Sequence, residues 1–161
     1  MMSKNQKPKP LLKADAIKKL QEHTFSHSLN PNSEIRGVFL GEQVGLQRLG
    51  FHLVRIPPGK ESFIYHSHEF EEEFIYILSG RGITEIDEEE FEVEAGDFMG
   101  FPTPSVAHHL RNPFHEDLVY IMGGERHEFE IADFPHLKKR MFRNRNEVHI
   151  ADWDELKPFK G

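Results

Sequence analysis

Histidine is the residue type whose distribution most needs explaining, with 11 among 161 residues. His66 and His68 stand two apart inside the strand-like run 62–68. In an extended chain, residues i and i+2 share a face and lie about 6.6 Å apart along the strand. That spacing lets two imidazoles converge on one ion held ~2 Å from each ring nitrogen. Five residues on, Glu73 opens the apolar run 74–78, which ends at Gly80. A hairpin turn between the two runs brings a carboxylate beside the histidine pair. Downstream, Val106-Ala107-His108-His109-Leu110 supplies a third imidazole if its strand neighbours the first two. Imidazoles and a carboxylate are donors of intermediate hardness, suited to a divalent Mn, Fe, Co, Ni, Cu or Zn ion. On a metal that prefers six ligands, four protein donors leave two positions for water, dioxygen or a chelating substrate. Such a site can polarise a carbonyl or activate a water.

The elements that must position these residues are short and extended. Strand-like runs fall at 50–56, 62–68, 73–78, 82–87, 90–94, 98–101, 107–111, 118–122 and 128–131. Between them lie turn residues such as Pro57-Pro58-Gly59, Ser79-Gly80, Ala95-Gly96-Asp97 and Asn112-Pro113. Strands spaced this way, with turn chemistry between them, indicate an all-β sandwich or barrel. The acidic run 87–90 reads as an exposed hairpin tip, and Gly123-Gly124 reads as a turn. Ahead of the barrel, residues 1–10 read as a mobile arm. Leu12, Ala16, Ile17 and Leu20 share one helical face there, which predicts a single short helix. A helix-turn-helix needs more chain than that. After Phe134-Pro135 a basic stretch precedes 150–156, a second short helix carrying Trp153. The chain divides into an arm with a short helix at 1–34, a barrel at 35–134, and a basic tail with a short helix at 135–161.

Taken in order, these residues resemble the two linked motifs of the cupin superfamily. Gly59, His66, His68, Glu73 and Gly80 match the first motif, and Gly96, Pro102, His108 and Asn112 match the second. Pro104 stands where the second motif has glycine. The resemblance runs from about Gly37 to Ile131 and implies an all-β double-stranded β-helix, the cupin jelly-roll barrel, with short helical segments at both ends. It selects Glu73 over Glu72 by the gap to Gly80, and His108 over His109 by the gap to Asn112. The implied metal ligands are His66, His68, Glu73 and His108. Cupins with three histidines and one glutamate oxidise, decarboxylate or isomerise small carboxylates or phenolics. The Gly96-Asp97-Phe98 strand, His108–Asn112 and the Gly123–Arg126 turn further resemble small single-domain bacterial cupins.

Composition narrows the function classes. The chain has no cysteine, which removes disulfides, thiolate ligands and cysteine nucleophiles together. Residues 26–135 hold 7 basic and 21 acidic side chains, a balance of −14, while the two ends are basic. An acidic body repels phosphate backbones, so nucleic acid is not an expected partner. No run approaches the ~20 apolar residues that span a bilayer. Nor do residues 1–20 hold the apolar core of a secretory signal, so the expected location is cytoplasmic. His52 either lines the barrel or sits outside it. His23, His27, His115, His127, His136 and His149 read as surface groups. The phenylalanine-rich runs offer more apolar surface than one small core needs, which predicts a symmetric homodimer. The reading is a metal-dependent enzyme of oxygenase, decarboxylase or isomerase type acting on a small organic acid or phenolic. The alternative is a non-catalytic cupin that binds or senses a small molecule.

Overall fold

A computed structural model describes residues 9–159, so the expected mobile arm lies outside them except for its last two residues. Thirteen strands dominate the described residues. They are β1 (His23–Phe25), β2 (Ile35–Phe39), β3 (Leu49–Ile56), β4 (Ser67–His68), β5 (Glu73–Ser79), β6 (Arg81–Ile86) and β7 (Glu89–Glu94), followed by β8 (Phe98–Phe101), β9 (His108–Arg111), β10 (Leu118–Glu125), β11 (Phe129–Phe134), β12 (Lys139–Asn144) and β13 (Glu147–Asp152). The helical segments are single turns: α1 (Ala14–Ile17), α2 (Leu40–Gln43), and 3₁₀ turns at Pro135–Leu137 and Trp153–Glu155.

One sheet runs β1-β2-β3-β10-β5-β8, and two smaller ones run β13-β12-β11-β4 and β7-β6-β9. Every strand pair is antiparallel. Strand alternation decides what lies inside. In β3, Gly50, His52, Val54 and Ile56 point inward, and in β11, Glu130, Ala132 and Phe134 do. Ile35, Val54, Ile56, Ile75, Ile77, Leu110, Leu118 and Tyr120 pack the centre. A smaller cluster of Ile64, Ala132 and Phe134 closes one side. This is the expected all-β double-stranded β-helix with short helical ends. The acidic tip is also as expected: Asp87 and Glu88 form a two-residue turn with φ of 51° and 68°, the geometry that matches strand twist in a hairpin.

Three details differ from the sequence reading. First, the run 62–68 is strand only at Ser67–His68. Ahead of it pairing is confined to isolated contacts: the Ser62 N–H donates to the Leu110 carbonyl at 2.7 Å, and the Ser62 hydroxyl accepts from the Leu110 N–H at 3.0 Å. Second, Gly123 and Gly124 are not a turn but lie inside β10. A Cβ on Gly123 would sit 2.6 Å from the Phe74 ring, and one on Gly124 would sit 2.8 Å from the Glu72 carbonyl oxygen. These glycines let β10 approach β5 closely. Gly80, by contrast, makes the expected turn, at φ +80°, where a Cβ would also collide with the Asp117 carbonyl. Third, the basic stretch after Pro135 forms the β12–β13 hairpin, and its helical part shrinks to Trp153–Glu155. Its cations find cross-strand acids: Lys139 meets Asp152 at 2.6 Å and Arg140 grips Asp133 at 2.7 Å. Opposite charges facing one another across a ladder stabilise a sheet that composition alone reads as a solvated tail. Among the described residues no helix is long and apolar enough to cross a membrane.

Candidate metal centre

Three segments bring the predicted ligands together: β4 with the residues just before it, β5 and β9. His66 and His108 face each other through paired backbone hydrogen bonds, with His66 N–H donating at 3.1 Å and His108 N–H at 2.8 Å. His68 ends β4, which pairs with β11. Its own N–H donates to the Ser105 hydroxyl at 2.8 Å, so the loop carrying Pro104 braces the histidine. Glu73 starts β5 between β10 and β8, opposite Gly124 and Phe101. Asn112 plays a structural part: its amide donates to the Ile56 and Glu116 carbonyls at 2.8 and 2.7 Å.

The side chains converge on the Glu73 carboxylate. Glu73 Oε2 lies 3.3 Å from His68 Nε2, 3.3 Å from His108 Nε2 and 3.8 Å from His66 Nε2. His66 Nε2 and His68 Nε2 are 3.1 Å apart. Around an ion held at about 2.1 Å, adjacent donor atoms sit roughly 3.0–3.4 Å apart in octahedral or tetrahedral geometry. The outer ring nitrogens favour the same use. His66 Nδ1 lies 2.6 Å from the Ile64 carbonyl and His108 Nδ1 lies 3.3 Å from that of Val106. A proton on each Nδ1 satisfies those carbonyls and leaves Nε2 as a lone-pair donor. Lone pairs crowded around one carboxylate oxygen repel unless a proton or a cation lies between them. The donor set therefore fits a divalent transition metal.

Glu72 is exposed at the rim, and its side chain takes no part in this cluster. His109 points the other way, out of the barrel, with Nε2 3.7 Å from Glu61. His52 faces inward and lines the same cavity as the cluster.

Electrostatics divide the histidines. Burial lowers the pKa of His66, overcoming the opposing pull of the Glu73 carboxylate, and keeps the ring neutral. Burial also lowers His52 and holds it neutral. At His68 burial works the same way, but the Glu130 and Glu73 carboxylates outweigh it and raise the pKa to about 9. Burial would raise Glu73, yet the three imidazoles around it hold its carboxyl well below the usual range.

His66, His68 and Glu73 form the floor of a cavity of about 290 Å³ whose walls include His52, Phe63, Met122, Arg126 and Arg143. Arg143 pairs with the buried Glu71, and its Nε has no acceptor. Sequence reading missed Glu71, Arg126, Arg143 and Glu130. Glu130 had a usable signal: it shares the inward register with Ala132 and Phe134, where a charged residue is out of place.

Comparison with known proteins follows the same lines. The Cupin domain family matches residues 52–124. A solved structure from Acidithiobacillus ferrooxidans, provisionally named a sugar phosphate isomerase, is 36% identical with a TM-score of 0.90. The alignment covers 94% of this chain and 97% of that one. A second, from Silicibacter pomeroyi, is called a sugar phosphate isomerase from a cupin superfamily; it is 24% identical with a TM-score of 0.78, over 90% of this chain and 94% of that one. An uncharacterized protein of Methanocaldococcus jannaschii is 40% identical over 57 residues, 35% of this chain and 44% of that protein. The chain thus spans less than half the length of that curated relative. The chain belongs to the cupin superfamily.

Proposed function

We propose that this cupin is a metal-dependent enzyme of isomerase type, acting on a small polyhydroxylated substrate such as a sugar phosphate. The observation that carries the reading is the convergence of three Nε2 atoms on Glu73 Oε2, with His66, His68 and Glu73 lining an open cavity. His66, His68, Glu73 and His108 would hold the ion. A divalent metal held there would supply Lewis acidity, polarising a substrate carbonyl and so acidifying the C–H on the adjacent hydroxyl-bearing carbon. His52, neutral in the cavity wall, is placed to accept and return a proton. Arg126 and Arg143 offer donors to substrate oxygens. The name of the Acidithiobacillus relative favours isomerisation over the oxygenase and decarboxylase chemistries of related sites, since that protein matches along nearly its whole length. One fold hosts many reactions, so the reading rests on the site.

The test is to incubate metal-loaded protein in deuterium oxide with a panel of aldose and ketose phosphates and small hydroxy acids. Interconversion with deuterium gained at carbon supports the reading. Binding without turnover across the panel overturns it in favour of a sensing cupin.

We also infer a symmetric homodimer. An apolar groove of about 420 Å³ lies beside the site, lined by Leu46, Leu49, Phe51, Phe74 and Phe98. A second copy covering this face would hide the aromatic surplus seen in the sequence.

A further inference from the structure

Each ligand histidine needs an oxygen for its outer nitrogen, and the three are served differently. His66 and His108 have backbone carbonyls at 2.6 and 3.3 Å. His68 Nδ1 has no hydrogen-bond partner although it is buried. The oxygen facing it is Glu130 Oε1, 3.8 Å away, on a side chain with no exposed surface. Glu130 Oε1 is fixed by the Glu69 and Phe70 N–H groups at 2.9 and 3.2 Å, while Oε2 has no partner. A buried carboxylate with an empty oxygen is costly, and so is a buried ring nitrogen with no partner.

We propose that Glu130 is a positioning residue for the metal centre. Its carboxylate accepts the Nδ1 proton of His68, fixes that tautomer and turns Nε2 toward the ion. This rests on the metal reading of the site and assigns a residue outside the ligand set. At 3.8 Å, Oε1 lies just beyond hydrogen-bond distance of Nδ1, and closing that gap would give the orphaned ring nitrogen its partner. The hydrogen bond to a charged oxygen also makes His68 a more strongly donating ligand than His66 or His108, whose partners are neutral carbonyls. Glu71 lies in the same cluster but is already taken, by the His127 N–H at 2.6 Å and by the Arg143 guanidinium. That guanidinium supplies the countercharge, so the cluster has no need of a second cation.

Glu130→Gln separates positioning from structure. The amide oxygen keeps accepting from Glu69 and Phe70, while the negative charge that draws the His68 Nδ1 proton is lost. The comparison uses cobalt(II) titrations of the full chain, followed by visible absorption, for wild type, Glu130→Gln and the matched control Glu71→Gln. Glu130→Gln should weaken cobalt binding by about 10–100-fold, the usual cost of losing a ligand's hydrogen-bond partner, and should alter the d–d band. Glu71→Gln should leave both within about threefold of wild type. Equal affinity and an unchanged band in Glu130→Gln overturn the proposal while leaving the metal reading intact. A wild type that binds no cobalt overturns both.

A second measurement needs no variant. Nitrogen-15 spectra of the zinc-loaded wild type should show a protected, downfield Nδ1 proton on His68. Free exchange of that proton with water contradicts the assignment.

Discussion

The ring of Phe101 lies flat on the imidazole of His108, with centroids 3.6 Å apart and planes 9° apart. The same phenylalanine sits opposite Glu73 across the β5–β8 ladder. One buried aromatic therefore holds two of the four candidate ligands in place. Phe101→Ala should cost about 3–5 kcal/mol of stability, as expected for emptying a core aromatic site. It should also weaken metal binding by freeing the His108 ring. Denaturant unfolding with and without metal measures both effects, and a loss below about 1 kcal/mol contradicts the packing account.

Glu73 and Glu72 are adjacent but should behave as opposites. Glu73→Gln keeps the shape and a neutral oxygen but removes the charge that offsets the ion, so metal affinity should fall by about tenfold or more. Glu72→Gln and His109→Gln should bind metal like the wild type, because one is exposed at the rim and the other points out of the barrel. Calorimetric titration of the three variants decides the matter. Metal loss in Glu72→Gln with retention in Glu73→Gln means the ligand register is off by one residue.

The pH dependence has a definite sign. In the metal-free protein His68 is held at about 9, against about 6.5 in an unfolded chain. Its stabilising effect is complete below about pH 6.5 and disappears as pH rises through about 9. Glu73 runs the other way: it stabilises above its ordinary value of 4.5 and loses that effect as acid carries the pH toward its lowered folded value. Metal-free protein should therefore lose stability between about pH 6.5 and 9. Metal must displace the His68 proton, so affinity should climb about tenfold per pH unit over that window, with about one proton released at neutral pH. Calorimetry in buffers of different ionisation enthalpy counts the proton. No release at neutral pH contradicts the charge assignment at His68.

Leu49, Phe98 and Phe74 border the apolar groove, and Phe98 is 65% exposed. If a second copy covers this face, sedimentation at micromolar concentration should give twice the 18.8 kDa of one chain. Phe98→Glu should shift the mass to that of a single chain by burying a charge at the contact. A wild-type mass near 18.8 kDa contradicts the dimer.

How much of this was legible in the sequence depended on spacing. His66, His68, Glu73 and His108 could be read because period-two alternation and two linked motifs fix which residues share a face. The same reasoning stopped where partners are far apart in the chain. Glu130 reaches His68 only through β11–β4 pairing across more than sixty residues, a contact no local pattern announces. Gly123 and Gly124 look like a turn to any local rule, and only the nearness of Phe74 and Glu72 shows them to be strand. The β12–β13 hairpin was hidden by its own charges. Lys139 and Arg140 read as solvated until Asp152 and Asp133 appear across the ladder.

The central claim is that His66, His68, Glu73 and His108 hold one divalent metal. Its most direct test is elemental analysis of untagged protein, purified without chelator and dialysed against trace metal, beside His66→Ala and His108→Ala variants. The account predicts about one transition-metal ion per wild-type chain and a large loss in each variant, since each removes one of four donors. A wild type without bound metal, or variants that keep the full complement, would contradict it.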